Sequence, residues 1–449
     1  MKTLNRTIFL ATLLFANLLL WSQTADDYRS DAKNGDKIAQ YNLGVCYDNG
    51  YGVGKDIKQA IYWWTKSAEQ GLVDAQSNLG FCYYLGHGVS IDYRQAVYWF
   101  TKAATQGNAE TQYYLGLCYL TGRGAEPDFE KAVYWWTKAA QQGHAEAQSN
   151  LAFEILNRTI MMKGSNEDYK TAVYWFTEAA KQGNAVAQNG LGFCYDFGYG
   201  VTIDHNQSVY WYTKSAEQGL AEAQNNLGNC YSEGKGVNPD FEKAVYWWAK
   251  SAEQGNANAQ YELGFCYSKG KGVERDPEKA IEWWVKSAEQ GNANAQYNLG
   301  IYCFAIQDYE NAVSWLTLSA EQENADAQYM LGICYSEGNG MDSNPERAVY
   351  WWAKSAEQGC AKAQCKLGYC YLDNNGVGLD YEKGIYWLSK SAEQKCAEAE
   401  YLLGVCYMFE LGLEANPRLA EELFNRVINN PNAIEKLKEE ARQKLLELN

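Results

Sequence analysis

Thirteen cysteines are the residues of this chain best equipped for chemistry, and most of them recur at a fixed interval. Cys46, Cys82, Cys118, Cys194, Cys230, Cys266, Cys334 and Cys370 sit at or beside one slot of a repeating pattern, with Cys406 a ninth and Cys303 displaced by one. If that pattern stacks helix on helix, equivalent positions lie about 8–10 Å apart. A disulfide needs Cα atoms within about 7 Å, so the slot is expected to hold buried thiols acting as small hydrophobes. Cys360, Cys365 and Cys396 fall outside it, and a bridge among these three is the alternative to free thiols.

Other chemistry is thinly supplied. Three histidines, His87, His144 and His205, belong to different copies of the pattern and no Cys-x-x-Cys pair accompanies them, so no metal site is expected. Ser232-Glu-Gly-Lys235 and Ser268-Lys-Gly-Lys271 match the Ser-x-x-Lys spacing of penicillin-recognising enzymes. That motif works when the serine opens a helix and the lysine lies one turn inside it. Both matches straddle a glycine turn instead, with no Ser-Asp-Asn or Lys-Thr-Gly elsewhere. The Gly-x-Gly turns follow helices rather than strands and are not phosphate cradles. Neither a catalytic residue nor a cofactor is expected.

The elements that hold these residues are written eleven times. A Leu-Gly pair (Leu-Ala in the fourth copy) recurs with Leu at 43, 79, 115, 151, 191, 227, 263, 299, 331, 367 and 403; eight of the ten intervals are 36 residues, one is 40 and one is 32. Such a period marks a solenoid, whose units bury their apolar faces only by stacking. In the copy Ala223 to Gly255, Ala223, Leu227, Cys230 and Tyr231 share one face of a helix A. Gly228 beside the leucine lets a neighbouring helix come close. Gly234 and Gly236 end helix A. Helix B starts at Asp240, whose equivalents are Asp56, Asp92, Asp128, Asp168, Asp204, Asp276, Asp308, Asn344, Asp380 and Asn416, all good N-caps. It is expected to bury Ala244, Trp247, Trp248 and Ala252, and eight of these helices run out in glycine, from Gly71 to Gly359. The predicted fold is all-α: an α-solenoid, a right-handed superhelix of antiparallel helix pairs.

Both breaks in period are read as changes in the A–B turn: four residues gained around Asn157 to Ser165, four lost between Leu299 and Asp308. The expected organisation is a signal peptide at 1–24, an N-terminal capping half-repeat at 25–38, repeats over 39–430 and a C-terminal capping helix at 431–449. The last is amphipathic through Ile434, Leu437, Ala441 and Leu445. The leader has Lys2 and Arg6, an apolar run of 14 residues from Ile8 to Trp21 and small residues at Ser22 to Ala25. That run is short of the ~20 residues a membrane span needs, and no cysteine follows it for lipid attachment. An exported, periplasmic or secreted protein is expected, with no stable membrane insertion after cleavage. Losing the leader takes the formal charge from −16 to −18, which excludes a nucleic-acid partner. Many free thiols in an exported chain would point to a reducing or anaerobic habitat.

The unit AQxxLGxCYxxGxGVxxDxxKAVYWWxKSAEQG resembles the Sel-one-like repeat (SLR), a relative of the tetratricopeptide repeat, over roughly nine tenths of the chain. The resemblance implies a curved α-solenoid with helices A on the concave side, serving as an adaptor or scaffold for other proteins. One branch of exported, cysteine-rich members is linked to penicillin binding and β-lactam hydrolysis; there, two cysteines eight residues apart bridge helix B to the next helix A. Here those slots hold Ala252 and Gln260, so the chain departs from that branch. A non-enzymatic scaffold for a protein or peptide is the expectation, and a β-lactam-hydrolysing envelope enzyme the alternative.

Counted from the leucine, position −2 is Tyr41, Tyr113, Tyr261, Tyr297, Tyr329 and Tyr401, and position −1 is Asn42, Asn78, Asn150, Asn226 and Asn298. Asparagines along a groove can bond both N–H and C=O of an extended peptide, and tyrosines beside them give rigid contact area. Packing between repeats is the competing role, and it is the expected one for position +2, such as Val45 and Phe81.

Overall fold

The computed structural model describes residues 24–448. The described chain is 24 α-helices with no strand. It divides into two compact units, the first running to Ala223 and taking in Lys235–Val237, the second made of Gln224–Gly234 and everything from Asn238 on. In each unit the chain is an α-solenoid of helix pairs, every helix packing most closely on its neighbours in sequence.

One repeat of the second unit shows the construction. Helix A is Ala257–Lys269, opened by Asn256, whose side chain accepts from the Ala259 N–H, and closed by Gly270 at φ 69°. Helix B is Pro277–Glu289, opened by Asp276 accepting from the Lys279 N–H. The second glycine of the turn has a separate task. A Cβ on Gly272 would collide with the Phe241 carbonyl at the start of the preceding helix B, so this contact admits only glycine. Helix A also has its own cap, filled by Asp36, Asn108, His144, Asn184, Asn256, Asn292 and Asn324 in seven copies, which the repeat consensus had not singled out.

Helix B buries Ala244, Trp248 and Ala252 as expected, but not Trp247. Trp247, at the position that is Trp in ten copies, is only partly buried, whereas Trp248 is 2% exposed. Its equivalents Trp64, Phe100, Trp136, Phe176, Tyr212 and Phe424 are buried too, while Trp284 is only partly so. The reason is the glycine after the leucine. A Cβ on Gly228 would lie 2.6 Å from Trp248 Cδ1, so the missing side chain is the seat of that indole.

Two glutamines per repeat join the stack. Gln260 in helix A donates from Nε2 to the Ala252 carbonyl of the preceding helix B at 3.1 Å, and its Oε1 accepts from Gln290 Nε2 at 2.7 Å. The glutamine pair recurs in ten repeats, from Gln40 and Gln70 to Gln364 and Gln394. Gln260 and Ala252 are the slots that hold a disulfide in the cysteine-rich branch. A buried hydrogen bond stands in its place.

The fourth copy corrects a second expectation. Its extra residues do not enlarge the turn; they lengthen both helices, to Ala145–Met162 and Asn166–Lys181. Ser165 and not Asp168 is the N-cap, and Asp168 at N3 completes a capping box with it. The eighth copy does tighten its turn, to three residues between Ala305 and Tyr309, with Gln307 at φ 64°.

Ala25–Lys33 forms a short first helix whose Ala32 carbonyl accepts from Gln40 Nε2, as a preceding helix B would. The last helix is Glu435–Leu448, with Leu437 and Ala441 packed on Phe424 and Val427. Ile434 precedes it and is 62% exposed, so it does not belong to the apolar face. The expected signal peptide lies outside the described residues, except for Thr24.

Candidate protein-binding surface

The eleven candidate groove residues line up on helices A, and all are partly buried. In the first unit they are Asn42, Asn78, Asn150, Tyr41 and Tyr113; in the second, Asn226, Asn298, Tyr261, Tyr297, Tyr329 and Tyr401. The backbone beneath them is pinned. Trp64, Trp136 and Trp352 donate from Nε1 to the carbonyls of Tyr41, Tyr113 and Tyr329 at 3.1–3.2 Å.

The two units use these residues differently. In the first, position −2 of one repeat meets position −1 of the next. Burial pushes the Tyr41 phenol up to about 12, with Asp74 adding to the rise and the neighbouring Asn78 amide pulling against it. Tyr113 is raised by burial and by Glu146, with Asn150 in the opposing role, and the His144 ring stacks on it at 4.8 Å. These pairs serve inter-repeat packing as well as any ligand. In the second unit, burial again raises Tyr261 and Tyr297, followed by the carboxylates of Glu262 and Asp326 respectively. Tyr329 is pushed up to about 12 by burial, then by the thiols of Cys360 and Cys365. Tyr401 is raised chiefly by burial. At position +2 Val45 and Phe81 are buried, whereas Leu117, Phe265 and Ile301 are half-buried and Tyr369 is 42% exposed.

The motifs that could have meant catalysis are used otherwise. Ser232 and Ser268 end their helices, and each hydroxyl donates to a carbonyl of its own helix, Asn229 at 3.0 Å and Phe265 at 2.8 Å. Lys271 Nζ lies over the Phe265 ring at 5.4 Å. Each histidine faces a carboxylate: His87 Nε2 to Asp48 at 3.0 Å, His144 Nε2 to Glu110 at 3.0 Å and His205 Nδ1 to Asp196 at 2.9 Å. Among the described residues no group of His, Cys, Asp and Glu is arranged to hold a metal ion, and no helix is long and apolar enough to cross a membrane.

The cysteine slot is as expected. Cys46, Cys82, Cys118, Cys194, Cys230, Cys266, Cys334, Cys370 and Cys406 are buried free thiols. Burial pushes Cys82 and Cys194 up to about 12, which makes them inert. Cys303, Cys360 and Cys396 are partly exposed, and no disulfide joins any of the thirteen.

A second surface went unnoticed in the sequence. On helices B, Tyr62, Tyr98, Tyr134, Tyr174 and Tyr210 in the first unit, and Tyr246, Tyr350 and Tyr386 in the second, are each about half exposed. Each stands edge-on to the tryptophan that follows it, as Tyr246 does to Trp247 at 5.0 Å. A lysine one turn on covers most of these rings, Lys250 Nζ lying 4.6 Å from that of Tyr246. The signal was the tyrosine before the two aromatic positions of the consensus.

Comparison with known proteins agrees with this architecture. The Sel1 repeat model matches eleven consecutive segments, from 37–72 to 397–429. The crystal structure of a protective antigen present in uropathogenic Escherichia coli strains, displaying an SLR fold, is 35% identical with a TM-score of 0.76, covering 94% of this chain and 90% of that one. A Sel1 repeat protein from Oxalobacter formigenes is 28% identical with a TM-score of 0.36, covering 64% of this chain and 98% of the other. A sel1-like repeat-containing protein of Acanthamoeba polyphaga mimivirus is 56% identical over 39 residues, 9% of this chain, and the match spans 7% of that relative's length.

Proposed function

The chain belongs to the Sel1 repeat family, whose members generally mediate protein–protein interactions and are typically non-enzymatic, and from that premise we propose that it is an exported scaffold that binds a peptide segment of a partner protein along its helices A. The observation that carries this reading is the row of half-buried tyrosines in the second unit. Tyr261, Tyr297 and Tyr329 present rigid rings from successive repeats, each phenol partly desolvated before any partner arrives. Such rings lose little conformational entropy on binding and make good anchors. Asn298 adds an amide for the partner's backbone. The β-lactam-hydrolysing alternative finds no support in the positions of Ser232 and Ser268.

Export is part of the proposal and rests on the leader sequence. N-terminal sequencing of the protein from an envelope fraction should begin near Ala25. A chain recovered from the cytoplasm with Met1 in place would refute it.

The binding surface is tested by photo-crosslinking from either face. A crosslinking side chain at Tyr297 should capture a partner from envelope extract, and the same partner should lose affinity for a Tyr261→Ala, Tyr297→Ala double variant. The helix B tyrosines are the competing surface, favoured by their exposure and lysine covers. If Tyr246→Ala, Tyr350→Ala abolishes binding while the Tyr261, Tyr297 variant binds normally, the working surface is helix B.

A further inference from the structure

We propose that Cys365 and Cys396 form a thiol–disulfide exchange site that closes to a disulfide on meeting a small-molecule disulfide, with Cys396 as the attacking thiol. The two belong to consecutive repeats of the second unit. Cys365 lies on the helix Ala361–Asp373, at the −2 position that six other repeats give to tyrosine. Cys396 is the N-cap of the next helix A, Ala397–Phe409. Position −2 and the following N-cap are neighbours in this fold, as the stacked rings of Tyr113 and His144 show. With cysteine at both places, the two thiols come together in one cluster with Leu388 and Ala399.

Their surroundings divide the roles. Cys396 is partly exposed and packs with Cys365, and its thiol donates to the Glu398 carboxylate at 3.4 Å. The contact with Cys365 is the largest influence on it and draws its ionisation down to about 7, which makes it the readier of the two to attack. Burial opposes that ionisation, and the Glu398 carboxylate, which accepts from the Cys396 thiol, opposes it further. Cys365 is 7% exposed and is pushed up, first by its contact with Cys396 and then by burial, with Lys366 pulling the other way.

The exchange balances in two steps. The Cys396 thiolate attacks one sulfur of a disulfide RSSR; that S–S bond breaks and RS⁻ leaves to take a proton from water. Cys396 now carries a neutral mixed disulfide, so the negative charge that held the proton on Cys365 is gone. Cys365 loses its proton and attacks the Cys396 sulfur, and the second RS⁻ leaves. Two protein thiols are oxidised to one disulfide and RSSR is reduced to two RSH. Cys360 is an internal control. It is the N-cap of the helix Ala361–Asp373, but the −2 position of the repeat before it holds the Tyr329 phenol, so it has an entry thiol's place without a second thiol to close on.

The test is to incubate the mature chain with oxidised glutathione, quench with acid, alkylate in denaturant and map the peptides by mass spectrometry. The expected result is a chain that alkylates at two fewer sites than its reduced form and yields a linked Cys365–Cys396 peptide. Cys365→Ser should instead retain glutathione at Cys396, and Cys396→Ser should leave Cys365 free. The proposal is overturned if the unmodified chain carries glutathione on Cys303 or Cys360 before Cys396, or if Cys396 is glutathionylated with no linked peptide. Because the unmodified chain carries the deciding measurement, a variant that folds poorly does not protect the proposal.

Discussion

Replacing Gln260 with alanine isolates the contribution of the glutamine pairs to the stack. The substitution removes a buried hydrogen bond to the Ala252 carbonyl and a part-buried one from Gln290 Nε2. Neither partner is left wholly unsatisfied. The Ala252 carbonyl still accepts from the Gly255 N–H at 3.0 Å, and Gln290 Nε2 still donates to the Lys286 carbonyl at 3.2 Å. The loss is therefore about 1 kcal/mol for each bond with no stranded-group penalty, and roughly 2–3 kcal/mol in all once the lost side-chain packing is counted. Contacts in a solenoid are local, so global melting would dilute the effect. Hydrogen exchange of the amides between Ser251 and Gln296 reads it directly, and 2–3 kcal/mol is a fall in protection of roughly 30- to 150-fold. Glu253→Ala, an exposed change one residue from Ala252, is the control and should stay within about 0.5 kcal/mol. If the two variants exchange alike, the glutamine pairs are ornaments of a stack held by its aromatic core.

Three further outcomes are expected. Trp248→Ala should cost about 3–5 kcal/mol of local stability through cavity formation and Trp247→Ala about 1–3 kcal/mol, measured by the same exchange experiment; the reverse order would undo the assignment of the deep position. Tyr261→Ala with Tyr297→Ala should weaken the captured partner by calorimetry more than Asn226→Ala with Asn298→Ala, where each lost hydrogen bond costs about 1 kcal/mol, and all four changes should leave the circular dichroism of the chain unchanged. Glu400 fills the glutamine slot of the last repeat at 4% exposure, where burial raises its carboxyl while Arg426 and Lys395 pull it back. The folded chain then holds that proton more tightly than the unfolded one. Its favourable contribution is present at low pH and is lost as pH rises through the folded value. Glu400→Gln should thus raise urea stability at pH 7 and change nothing below about pH 4, and a gain that is independent of pH would contradict this account.

The period, the helix pairing and the capping of helix B could be read from the sequence because each leaves a local trace. Asp240, Gly234 and Leu227 are where the residue-level rules put them. What escaped was whatever depends on a neighbour. Trp247 and Trp248 are adjacent aromatics, and only the seat at Gly228 decides which goes in. Gln260 reads as an ordinary polar residue until Ala252 and Gln290 are brought to it by the stack. The four extra residues of the fourth copy lack the Gly-x-Gly signal and so looked like loop, yet without those glycines nothing ends the helix before Met162. The candidate groove was legible as a row of residue types. The engagement of Tyr41 by Asn78 was not, since their separation of 37 residues has meaning only once helices A lie side by side.

Eleven near-copies on one chain invite errors of assembly, because the helix B of one copy can be offered to the helix A of another. Misdocking between like neighbours is a characteristic failure of repeat proteins. The deep aromatic position works against it. Trp136 fills the space left by Gly116, whereas Phe176 of the fourth copy packs in a cluster with Ala152 and against Gly190. A helix carrying Trp at this place, docked on the helix bearing Ala152, would force an indole onto a methyl group, and overpacking of that kind costs about 1–3 kcal/mol. Side-chain volume therefore sets the fourth copy apart from the five that seat a tryptophan on glycine, and a helix B from any of those is turned away from its helix A.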